Sequence, residues 1–233
     1  MTERTRGLLL GALASVLWSS VFVAARYVVT VRGVDPYYTA ALRFGSGALV
    51  AVLYLLLAGR GPRLVRATAE VGWMVLLGAI GIFGMGTLVF LSAALTTSIN
   101  GALLLNTNAI FIAVFALLVG ERVPRIRFLG LVTGLAGCAL IVLSGASAQS
   151  HPVVNNALGS LAALGGAVLW ALYTVLGKRL SREYGGPEVA AGTLVFGGLM
   201  LAVVALLRRP ALGLELPEAL AALYLGIFPT AIA

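Results

Sequence analysis

Apolar residues come in long runs along this chain, and the short stretches between the runs carry nearly all of its charge. Each run has about the ~20 residues a helix needs to cross a bilayer core at 1.5 Å per residue. Eight such spans can be drawn: 7–25, 37–58, 71–91, 99–119, 128–144, 157–176, 189–207, and an eighth that starts near 219 and is still apolar at Ala233. A membrane β-barrel would alternate apolar and polar residues in segments of about ten, and no such alternation is present. The pattern predicts an all-α polytopic membrane protein.

The first run is written twice. Gly7 to Arg26 reads GLLLGALASVLWSSVFVAAR, and Gly159 to Lys178 reads GSLAALGGAVLWALYTVLGK. The glycine start, the Leu17-Trp18 and Leu169-Trp170 pairs and the basic end all recur at one spacing of 152 residues. A shared register of that kind predicts a duplicated unit.

Composition agrees with lipid as the solvent. Of the 233 residues 61% are hydrophobic and only 10% charged, with a mean hydropathy of +1.05. Soluble domains carry about 25% charged residues. The net charge of +8 reflects loops, and no basic run is long enough to neutralise several phosphates, so nucleic acid is not an expected partner. With the N-terminus in the cytoplasm, Arg4, Arg6, Arg60, Arg63, Arg66, Arg122, Arg125, Arg127, Lys178, Arg179 and Arg182 fall inside. Arg26, Arg32, Arg208 and Arg209 fall outside. Eleven against four satisfies the positive-inside rule and predicts a cytoplasmic N-terminus in a bacterial-type inner or plasma membrane. The first span resembles a signal peptide in its flanks, but its length favours a retained helix. Five spans separate the two copies, so they enter the membrane from opposite sides. That is the plan of an inverted repeat. Cys138 and His151 are the single cysteine and histidine, which leaves no disulfide framework and no metal site, and no cofactor is expected.

The motifs fall in an order that resembles the drug/metabolite transporter superfamily, EamA type. They are Leu17-Trp18-Ser19-Ser20, Asp35-Pro36 followed by Leu42-Arg43-Phe44, and Ala94-Leu95-Thr96-Thr97-Ser98. Gly120-Glu121-Arg122, then Gly130, Gly134 and Gly137, then Trp170-Ala171-Leu172-Tyr173 with Lys178-Arg179 complete the series. The resemblance implies two five-helix units: residues 7–146 as the first, and 157–233 as a second, incomplete unit of three helices. About 8 of an expected 10 transmembrane helices are present, and aligning Leu225-Gly226 with Leu77-Gly78 leaves spans nine and ten missing. Two further departures are the absence of a mid-span proline at Asn106-Thr107-Asn108-Ala109 and of a basic counterpart to Arg43 in Thr193-Leu194-Val195-Phe196.

Arg43 is the costliest residue, a guanidinium about 10 Å deep in the second span. It either snorkels to the headgroups or faces the bundle, where it binds an anionic group or locks the outer half. Asn106 and Asn108 need partners in hydrocarbon and are candidates for lining the substrate path, the alternative being an interhelical hydrogen bond to span one or two. Two residues apart they point about 200° apart on a helix, so they are not expected to share one task. Trp18 and Trp170 sit near mid-membrane, away from the interfacial belts. With Ser19 and Tyr173 they are candidates for lining the substrate path; the alternative is aromatic packing. Gly130, Gly134 and Gly137, together with Gly7-x-x-x-Gly11 and the Gly78, Gly81, Gly84, Gly86 series, read as helix-packing positions. Glu121 is expected to pair with Arg122 or a nearby basic loop residue. All eight carboxylates fall in loops or at span ends.

These features predict a secondary-type transporter, not an enzyme, that moves a small organic solute by alternating access. The resemblance implies metabolites, amino acids or drug-like compounds. Expected partners are that solute and membrane lipid, and a homo-oligomer is compatible with the composition. The alternatives are a non-transporting structural or assembly protein, an inactive fragment, or a membrane-embedded enzyme. The last would need clustered carboxylates, a His-rich motif or a nucleophile with its base.

Overall fold

The computed structural model describes residues 3–121, 124–143, 154–208 and 215–232. Helix α1 is Glu3–Arg26, carried on by wider turns over Tyr27–Val31. Next come α2 (Pro36–Leu57), the short α3 (Gly61–Ala69) and α4 (Val71–Leu95), which opens into wide turns over Gly78–Gly84. They are followed by α5 (Ser98–Leu118), α6 (Arg125–Leu143), α7 (Asn156–Tyr184) and α8 (Gly186–Arg208). Helix α9 is Leu216–Gly226, continued in wide turns over Ile227–Ile232. Among the described residues there is no strand. Six helices (α1, α2, α4, α5, α7 and α8) are long and apolar enough to cross a membrane, and α6 and α9 carry shorter apolar stretches. Arg122, His151 and most of the loop before α7 lie outside the described residues.

The helix starts are written locally. The Asp35 carboxylate accepts from the N–H groups of Tyr37 and Tyr38 at 2.9 and 3.0 Å, and Pro36 fills the first turn, where no donor is missed. Thr97 caps α5 and Asn155 caps α7 in the same manner. Glu215 and Glu218 form a reciprocal capping box at α9. Gly33, after α1, and Gly185, after α7, both take a positive φ (70° and 106°) that other residues rarely adopt. They stand at the same 152-residue spacing as the two tryptophans.

Packing runs between the two halves of the sequence. Helix α2 lies along α8, α4 along α7 and α8, α5 along α7, and α9 against α2. Phe44, Val89, Phe90, Leu201 and Leu225 form the centre. Lipid is as apolar as these side chains, so close fit decides the packing rather than escape from water. A Cβ on Gly78 would stand 2.9 Å from the Gly197 nitrogen, and one on Gly226 would stand 2.6 Å from the Arg43 carbonyl oxygen. Gly81 faces the Tyr173 ring and Gly86 the Phe44 ring. The Gly78–Gly86 series is therefore a true close-approach surface.

Gly130, Gly134 and Gly137, like Gly7 and Gly11, have no described atom within 4 Å of where a Cβ would point.

Candidate functional site

A cavity of about 430 Å³ lies at the centre, in the size range of small-molecule sites. It is lined from α1, α2, α4, α5, α7, α8 and α9, and so from both halves of the chain. Trp18, Ser19, Arg43, Asn106, Asn108, Trp170 and Tyr173 all reach its wall. The two repeat tryptophans meet there edge to face, with ring centroids 4.9 Å apart. Trp170 in turn stacks on Tyr173 at 5.1 Å, and the Tyr173 hydroxyl lies 3.2 Å from Thr193 Oγ1. Ser19 donates to the Val16 carbonyl, whereas Ser20 meets the Tyr224 hydroxyl at 2.7 Å.

Arg43 does not snorkel. Its residue is 6% exposed, and its guanidinium carbon sits 4.7 Å from the Phe44 ring centroid and 5.9 Å from that of Phe90. Nε donates to Thr230 Oγ1 at 3.0 Å. That hydroxyl donates in turn to the Leu225 carbonyl five residues back, inside the wide turns of α9. No sequence signal pointed to Thr230, because the contact depends on how α9 unwinds.

The helix beside the two asparagines has a local break. At Thr107 the α5 backbone tightens: its N–H bonds the carbonyl of Leu104, three residues back, and its hydroxyl donates to the same oxygen at 2.6 Å. The helix phase shifts there, and Asn106 and Asn108 both line the one cavity.

Two further residues were read incompletely. Arg26, counted with the outer loop, is buried; its Nη1 donates to the Thr96 carbonyl, while Nη2 has no partner. Glu121 pairs with Lys178 of α7 at 2.5 Å; Arg122, its expected loop partner, lies outside the described residues. The hydrogen bond from Lys178 holds the Glu121 carboxyl below the usual carboxylate range.

Ion pairs close both ends of the antiparallel α2/α8 pair. At one end Arg208 Nε meets Asp35 at 3.2 Å. At the other, Arg60 Nη2 donates to Glu188 Oε2 at 2.8 Å. Each acid begins one helix and each arginine ends the other. Beside the first pair, Arg32 grips Glu218 at 2.9 Å and also Glu215, contacts that raise its guanidinium pKa, the Glu218 hydrogen bond foremost. Beside the second, the Tyr184 hydroxyl donates to Glu70 at 3.3 Å. Among the described residues no three His, Cys, Asp or Glu side chains gather as a metal site.

The family model of the EamA-like transporter family matches residues 5–143 and again 157–233. The chain is 31% identical to an uncharacterized transporter, YyaM, of Bacillus subtilis over 82% of its own length, and spans 62% of that protein. It is also 31% identical to the aromatic amino acid exporter YddG of Ancylobacter novellus, over 99% of this chain and 78% of that one. A solved crystal structure matches with a TM-score of 0.73 at 30% identity, covering 96% of this chain and 75% of its own. With six helices fit to cross a bilayer and both segments matched, this chain is an integral membrane protein and belongs to the EamA-like transporter family.

Proposed function

We propose that the chain works as a secondary-type transporter, moving a small organic solute by alternating access around the central cavity. Residues 7–146 and 157–233 act as opposed units, with the N-terminus on the cytoplasmic side of an inner or plasma membrane. The observation that carries this reading is the exchange of ion-pair partners along α2 and α8. Asp35 and Glu188 occupy matching places at the starts of their helices, as Arg60 and Arg208 do at the ends. Arg32–Glu218 and Tyr184–Glu70 match in the same sense. Two opposed units with equivalent clamps at opposite faces can open one face while the other holds, which is what alternating access requires. The cavity midway between the clamps is then the solute site.

Metabolites, amino acids and drug-like compounds form the substrate class, and the relative that exports aromatic amino acids supports the amino-acid part of it. The names of the relatives favour transport over an enzymatic step. Solute counterflow in proteoliposomes, with a labelled panel of amino acids, organic acids and amines, is the test. Exchange of at least one solute is expected, and that solute should protect cysteines placed at Ser19 and Tyr173 from labelling. A correctly folded chain that exchanges none of the panel would overturn the reading.

A further inference from the structure

Arg43 is the only charged side chain on the cavity wall among the described residues. Among the described residues no carboxylate stands within 4.0 Å of it, whereas Arg32, Arg60, Lys178 and Arg208 each have one. A buried charge without a counter-ion is strongly disfavoured unless something that visits the site completes it. Thr230 takes only Nε. Both Nη groups, unlike the sealed Nη2 of Arg26, keep access to the cavity. The guanidinium carbon lies over the Phe44 ring at 4.7 Å and 5.9 Å from the Phe90 centroid, and neither ring accepts an Nη hydrogen bond as a carboxylate would. The same cavity is walled by the rings of Trp18, Trp170 and Tyr173, with Trp170 stacked on Tyr173 and Trp18 set edge to face against Trp170.

We infer that this cavity binds a solute with one carboxylate, held by the Nη groups of Arg43, on an aromatic or apolar body that packs against the Trp18, Trp170 and Tyr173 rings. The inference rests on the cavity being the solute site and names the chemistry of what enters it. A single guanidinium neutralises a single charge, so a phosphate dianion would bring an uncompensated charge into an apolar space. An aromatic wall alone also accepts organic cations. Here an ammonium would meet a bare guanidinium with no acid on the wall to offset it. Asn106 and Asn108 offer amide groups for a neutral polar substituent on the same solute.

The test uses the full chain in detergent and three probes of one shape: 3-phenylpropionate, its neutral amide and 3-phenylpropylamine. Binding is read by tryptophan fluorescence, with Trp73 outside the cavity as constant background. The acid should bind at least about tenfold more tightly than the amide, the size of a charged hydrogen bond's contribution. The amine should bind most weakly. Arg43→Gln should reduce the acid-over-amide ratio to about twofold or less, and Arg43→Lys should keep part of it. Equal binding of acid and amide, tighter binding of the amine, no binding of any probe, or a ratio that survives Arg43→Gln would overturn the inference. The wild-type ratio decides the matter even if a variant fails to fold. A held acid preference without counterflow would remove transport and leave the anion site. Counterflow with no charge preference would do the reverse.

Discussion

The two ends of the α2/α8 pair carry the same chemistry in different surroundings. At the Glu188 end the acid side chain is wholly buried and its arginine is 31% exposed. At the Asp35 end the acid is 17% and the arginine 52% exposed, and the neighbouring Glu215 is 72% exposed. An exposed pair contributes about 0–1 kcal/mol, because water and salt screen it. A buried pair can be worth no more in net terms, yet removing one partner leaves a bare charge and costs about 3–5 kcal/mol. The Glu188 end is thus the latch that is hard to break, and the Asp35 end the one that opens at little cost.

The largest effect expected from this contrast is that of Arg60→Ala, which strands Glu188. A loss of about 3 kcal/mol is expected in unfolding measured in detergent. Arg208→Ala should cost less than about 1 kcal/mol. Equal losses at the two ends would break the comparison. Next come the crossings that hold α8 to α4 and α9 to α2. Gly197→Val and Gly226→Val each press a side chain into backbone, and each should cost about 1–3 kcal/mol, seen as a lowered melting temperature. Full stability in either would mean that the helices do not approach as described.

Asp35→Asn sharpens the contrast at smaller scale. Asparagine caps a helix as well as aspartate does, so the change removes only the ion pair. A cost below about 1 kcal/mol is expected, and a larger one would place Asp35 in a tighter contact than Arg208 alone. The smallest effect concerns pH. The lowered pKa of Glu121 means that its pairing with Lys178 stabilises the fold above the ordinary carboxylate range. That contribution fades as pH falls through the depressed value, because the folded state must then take up the proton it held off. Glu121→Gln should flatten the acid limb of a stability-against-pH curve, and an unchanged limb would assign the effect elsewhere.

Much of this was legible in residue order, and the exceptions have physical causes. The apolar runs marked the helices, since run length and bilayer thickness are directly linked. The 152-residue register marked Trp18 and Trp170, and they meet because the two first helices line the same cavity. Gly33 and Gly185 obey the same register, and a search for paired glycines beside Asp35-Pro36 and Pro187-Glu188 could have found that correspondence. That Asn106 and Asn108 reach one cavity was not legible, because a regular 100° step per residue does not hold across Thr107, where a hydroxyl competes for the backbone carbonyl. At Gly130 and Gly134 spacing alone reaches its limit, since it shows that a helix can be approached closely, not which helix does so. Arg43 stayed open between two readings, as its direction depends on Thr230, a contact across 187 residues.

The indole pair has one more consequence. Trp18 and Trp170 come from the two halves of the sequence and stand 4.9 Å apart, inclined at 61°. Two chromophores so close and so inclined share their excited states, and the sign and size of the resulting exciton couplet vary steeply with separation and angle. The molecule therefore carries its own optical strain gauge. Any rocking of one half against the other shifts the circular dichroism of this single pair, with no label attached.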